Sequence, residues 1–174
     1  MYFNAAQMSL AENAFQHAEK LTGRYFRISP EGMKAHRYDI RTLAYLDQHE
    51  VSSKAFAHLC KYHHQQDDKA DPEQGIHFYR ICLQDNRILD AVDRAGPFIK
   101  LNPLLLYIAA HELVHVIRFD SGYIDFDAPV AEKQREEEKV HEITRDMLHS
   151  LVAPEMNLVV ECFSGRYQIG DIYQ

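Results

Sequence analysis

An α+β domain, helical towards both ends with a small mixed sheet between, is the fold class this sequence predicts. Three observations predict it. Asn4 to Leu21 and the stretch after Val130 place apolar residues at three- and four-residue spacing, as helices do. Ile76 to Val92 breaks into short apolar runs of strand length. Asn102 to Phe119 (NPLLLYIAAHELVHVIRF) reads as one nearly unbroken apolar helix. With 174 residues, a single domain spanning 1–174 is expected to bury a core without disulfides or structural staples.

Taken in order, Asn4 to Leu21 is an amphipathic helix with Leu10, Ala14, Ala18 and Leu21 on one stripe, closed by Gly23. Tyr25 to Ile28 is expected to be a short strand, ended by the turn Ser29-Pro30-Glu31-Gly32. Tyr38 to Leu46 carries both periodicities, and the alternation of Tyr38, Ile40 and Thr42 favours strand. A second helix is expected from Ser52 or Ser53 to about His64, burying Phe56, Leu59 and Cys60. The polar stretch Gln65 to Gln74, broken by Pro72, reads as a solvated loop. Ile76 to Leu83 and Arg87 to Val92 flank Gln84-Asp85-Asn86 as a hairpin, and Phe98 to Leu101 adds a short strand after Gly96-Pro97.

The long apolar helix starts with Asn102 as N-cap and Pro103 at the first helical position, and stops at Asp120-Ser121-Gly122. Tyr123 to Val130 is a loop. A charged helix runs from about Ala131 to Val152, with Val140, Ile143, Thr144, Met147, Leu148 and Leu151 as its apolar stripe, and Pro154 ends it. The tail from Met156 to Gln174 holds a last helix or strand and an extended end.

Composition narrows the function classes. The net charge of −7 argues against non-specific nucleic-acid binding. No basic start followed by an apolar run marks a signal peptide, and the apolar helix is too short and too polar at its centre to span a bilayer, so no membrane association is expected. Three scattered cysteines (Cys60, Cys82, Cys162) do not make a disulfide framework, which fits a reducing cytoplasm. Cys60 with His63 and His64 lacks a second Cys/His pair for a structural zinc.

The polar groups inside the apolar helix carry the chemistry. Before Arg118 they are only Tyr107, His111, Glu112 and His115. Burying a carboxylate and two imidazoles is costly unless something pairs with them, and a metal ion does so. His111 and His115 lie at i and i+4 and project from one face, with Glu112 about 100° round the axis. This is the H-E-x-x-H arrangement, in which two His bind zinc and the Glu is general base.

Two histidines do not complete such a site, which usually takes three protein ligands plus water. The run Glu136-Glu137-Glu138 lies on the next helix, 22 residues beyond His115 for Glu137, a gap that fits a helix, a turn and an antiparallel return. Glu137 precedes Val140 by three and Thr144 by seven and is expected on their buried face; Glu136 flanks the same stripe, and Glu138 faces away. His141, one turn after Glu137, is either an orienting group or itself the third ligand.

HELVH followed by EEKVHEITRDML resembles the gluzincin metallopeptidases, including the ImmA/IrrE-like group, in which a Glu on the helix after H-E-x-x-H is the third zinc ligand. The resemblance covers Asn102 to Leu151. It puts the ligand on Glu137, a small apolar position on Val140, and a position usually Asp or Asn on His141. It departs in lacking a Gly within HELVH and in having His at 141. It implies a zincin-like fold: a helical N-terminal part, a small mixed sheet, an active-site helix and a C-terminal ligand-bearing helix. It also implies zinc as cofactor, held by His111, His115 and Glu137, and a peptide or protein as substrate. Glu112 is then the catalytic base, and His141 and Tyr123 are candidate catalytic groups for the oxyanion, with His149 and Tyr167 further downstream. The Ile76 to Val92 hairpin would offer a sheet edge to an extended peptide. Two other functions compete: a non-catalytic interaction module with a structural metal, and a protease-like regulator of one protein partner.

Overall fold

The computed structural model describes residues 1–64, 76–151 and 153–163, without the side chain of His64. Gln65 to Gln74 and most of the tail, Tyr167 included, lie outside the described residues.

The chain opens with α1 (Ala5–Phe26), capped by a reciprocal pair: the Asn4 side chain accepts from Gln7 N, and Gln7 Oε1 accepts from Asn4 N. Gly23 does not close this helix. It is buried one turn inside, against Ile28 O and Met33, and the helix ends in the left-handed Arg27 (φ 55°). The expected strand Tyr25 to Ile28 is thus the end of α1. The predicted turn after it starts a further helix, α2 (Pro30–Ala35), where Ser29 Oγ caps Gly32 N and Pro30 takes the first position.

The sheet has three strands: β1 (Tyr38–Arg41), β2 (Ala57–His64) and β3 (Ile76–Leu83), in the order β1-β3-β2. β1 runs parallel to β3 with Ile40 opposite Ile81, and β2 runs antiparallel to β3 with Leu59 opposite Ile81. Two sequence expectations fail here. Ser52 does not start a helix: its hydroxyl accepts from Lys54 N and Ala55 N to make a tight turn, after which β2 takes its ladder from β3. Arg87 to Val92 is not a hairpin arm but part of α3 (Asp85–Ala95). Ile88 and Ala91, three apart, are its buried side. The expected turn residues hold the core instead. Asp85 accepts from Phe3 N and Leu43 N, and Gln84 bonds Ser52 N, Glu50 O and Cys82 O. Phe98 to Leu101 adds no strand.

Three more helices follow among the described residues. α4 (Leu101–Asp120) starts two residues earlier than expected, with Lys100 and not Asn102 at its N-cap. It is the centre of the molecule: α1, α5 (Val130–His149) and α6 (Pro154–Cys162) pack on it, and β2 lies against it. Fourteen of its twenty residues are buried, which explains an apolar pattern with little sidedness. Pro154, expected to end α5, takes the first position of α6. No helix among the described residues is long and apolar enough to cross a membrane.

Candidate metal centre

Tyr107, His111 and His115 climb α4 at four-residue steps, so their side chains share one face. Glu137 and His141, also four apart, face them from α5. The five side chains meet. Glu137 Oε1 lies 2.9 Å from His111 Nε2 and 3.3 Å from His141 Nε2, while Oε2 lies 2.9 Å from His115 Nε2. The two α4 nitrogens are 3.1 Å apart. Tyr107 Oη lies 2.8 Å from His141 Nδ1.

Glu137 reaches this point from an unexpected position. It does not share the buried face of Val140 and Thr144; its side chain is 48% exposed and enters from the rim. The buried acid is Glu136, held by Arg118 through Nε (2.5 Å) and Nη2 (3.1 Å). That ion pair accounts for Glu136 and removes it as a candidate ligand.

The electrostatics follow from depth. Burial pushes the His111 imidazolium down to about 4, against the attraction of Glu137, so the ring is neutral and its lone pair is free. Burial acts on His115 in the same sense, but its bond to Glu137 and the nearby carboxylates outweigh it and raise its pKa. Glu137 is opposed by burial too, yet the three imidazoles hold its carboxyl far below the usual carboxylate range. Glu112 has weaker company. Burial outweighs the attraction of His115 and pushes its carboxyl up to about 7, and among the described residues it has no hydrogen-bond partner.

These residues could hold a metal ion. Ligand atoms of His111, Glu137 and His141 all lie within 4.8 Å of one another, and His115 Nε2 stands beside two of them. Tetrahedral zinc with bonds of about 2.0–2.1 Å separates its ligand atoms by about 3.3 Å. The 2.9 to 3.1 Å separations among His111, His115 and Glu137 are near that edge. The protein gives the Nδ1 atoms of His111 and His115 no partner among the described residues.

Space for a second molecule adjoins the cluster. A cavity of about 380 Å³ is lined by Ala55, Phe56, Tyr107, His111, Glu112 and His141 among others. A second, of about 610 Å³, runs along β2 past His111, Glu112, His115 and Glu137. The sheet edge beside the centre is therefore β2, not the Ile76 to Val92 segment.

The other candidates fall elsewhere. Tyr123 is 67% exposed, with the Arg118 guanidinium over its ring, and lines neither cavity. His149 is exposed. Tyr107 is the residue that sequence reasoning undervalued. Its spacing of four before His111 was the available signal, but its partner comes from another helix. Compared with protein-family models, curated proteins and solved structures, the chain matches none.

Proposed function

We propose that this chain is a zinc-dependent peptidase of gluzincin type, with His111, His115 and Glu137 as metal ligands and Glu112 as general base. The observation that carries the reading is the convergence of His111 Nε2, His115 Nε2 and both Glu137 oxygens within about one ligand–ligand edge, next to an unpartnered buried carboxyl. Two imidazoles and a carboxylate suit zinc. When bound, the ion supplies a Lewis acid for the scissile carbonyl and lowers the pKa of a water molecule.

The chain's own residues supply the rest. Glu112 lines both cavities, so it can take the proton of the attacking water as the new C–O bond forms. Glu112 can then return that proton to the amine nitrogen as the C–N bond breaks. The outer edge of β2 has no strand partner among the described residues and runs along the larger cavity. An extended peptide would add there by main-chain hydrogen bonds, which makes backbone rather than side chains the basis of recognition.

Two variants test the reading together with elemental analysis. Glu112→Gln is expected to keep stoichiometric zinc and lose roughly 10²- to 10⁴-fold in peptide hydrolysis. His115→Ala is expected to lose both zinc and hydrolysis. Full zinc content in His115→Ala would overturn the ligand set. Wild-type hydrolysis undiminished in Glu112→Gln would overturn the base.

A further inference from the structure

The donors around Glu137 are three imidazoles, and they are not equivalent. His111 and His115 have buried Nδ1 atoms with no partner among the described residues. His141 has its Nδ1 against the Tyr107 hydroxyl at 2.8 Å. We infer that Tyr107 fixes His141 as the Nε2–H tautomer, so that His141 is the hydrogen-bond donor to the carbonyl oxygen of a bound peptide and not a metal ligand. This rests on the peptidase reading.

The tautomer follows from what a buried phenol requires. Tyr107 is 1% exposed, and burial keeps its hydroxyl protonated well above the usual range. That proton needs an acceptor, and His141 Nδ1 is the only hydrogen-bond partner the Tyr107 hydroxyl has among the described residues. A nitrogen that accepts carries no proton. The proton of a neutral His141 ring then sits on Nε2, the atom 3.3 Å from Glu137 Oε1. The opposite tautomer frees the Nε2 lone pair for a metal but strands the phenol proton, which disfavours it roughly tenfold or more.

Position and rigidity support the same role. Phe163 stacks on Tyr107 with ring centroids 4.1 Å apart, and on His141 at 5.7 Å, so the pair is clamped. His141 lines the 380 Å³ cavity with Glu112 and His111. A peptide carbonyl entering beside Glu112 would share the N–H that rests 3.3 Å from Glu137 Oε1, a donor whose tautomer the Tyr107 bond has already set, as stabilisation of a developing oxyanion demands. Tyr107 itself touches no substrate atom in this scheme; it is a positioning residue.

The direct test is nitrogen-15 NMR of labelled histidine in the metal-free protein, which reads which ring nitrogen carries the proton. Wild type is expected to show His141 protonated on Nε2, and Tyr107→Phe to show a mixture of tautomers. After zinc is added, the Nε2 proton of His141 should persist. His141→Ala should bind zinc within about threefold of wild type while kcat for peptide hydrolysis falls roughly 10²- to 10³-fold with KM little changed. His141→Gln, which restores an N–H donor, should recover part of the loss. His141 protonated on Nδ1, or zinc lost in His141→Ala, overturns this inference and leaves the peptidase reading standing. Failure of wild type to bind zinc overturns the peptidase reading, and the donor role with it; the NMR tautomer would then be a structural fact only.

Discussion

The protein treats two of the buried polar clusters among its described residues differently, one in the sheet and one between α4 and α5. In the sheet, Glu50 has no exposed surface and is fully partnered. Arg80 bonds it through Nη1 at 3.0 Å, Asp47 N donates to it at 2.9 Å, and the Tyr62 hydroxyl makes a short bond. Arg80 is in turn shared with Asp39 at 3.0 Å. Between the helices, Glu112 has no hydrogen bond among the described residues and two imidazole nitrogens lack partners. A closed network holds structure. An open one, at the wall of a cavity, is where a fold tolerates cost for the sake of chemistry.

The largest expected effect comes from breaking the closed cluster. Arg80→Met leaves Glu50 buried without its countercharge and should cost about 3–5 kcal/mol in urea unfolding. A loss under about 1 kcal/mol would mean that the network is not what holds the sheet to the 3-10 turn at Gln48–Glu50.

The second effect has the opposite sign and separates the clusters by pH. Burial alone would raise Glu50, but Tyr62, the Asp47 N–H and Arg80 bring it from the ordinary 4.5 down to about 2. Its contribution is therefore complete above about 4.5 and lost as pH falls towards about 2. Glu112 is raised from 4.5 to about 7, so the folded protein holds that proton more tightly than the unfolded chain. Stability then falls as pH rises from about 4.5 to about 7, and the whole cost is carried above that range. Glu112→Gln cannot ionise. In metal-free protein it should be more stable than wild type by roughly 3 kcal/mol at pH 8, with the gain fading by pH 4.5. Equal unfolding midpoints at pH 8 would place Glu112 in a solvated setting and remove the contrast.

The same contrast explains what the sequence made legible. α1, α4 and α5 are written locally, in periodic apolar positions and caps, so the helices and the H-E-x-x-H face were readable residue by residue. β2 was misread because its apolar spacing suits either structure, and only the ladder to β3, across a gap in sequence, decides between them. α3 was misread because Gln84 and Asp85 resemble hairpin residues, while their side chains tie down the N-terminus and the Glu50 turn. In the site, the His pair and a glutamate from the acidic run were visible. The division of labour was not: Arg118 on α4 takes Glu136, which leaves Glu137 to reach in from the rim. The Tyr107–His141 bond joins residues 34 apart and has no local signature.

The smallest of these effects tests whether the two clusters are independent. A ligand that binds only the folded protein stabilises it by RT ln(1 + [L]/Kd), which is about 2.7 kcal/mol at a hundred times Kd. Zinc at that excess should therefore raise the stability of wild type by about that amount, and chelation should reverse it. His115→Ala should show no response. Arg80→Met, though weaker overall, should gain as much from zinc as wild type does, because among the described residues Arg80, Glu50 and Asp39 share no hydrogen bond or ion pair with the residues around Glu137. A folded Arg80→Met protein that no longer responds to zinc would mean that β2, which pairs with the Arg80 strand and walls the cavity, transmits the loss. The closed cluster would then be part of what shapes the open one.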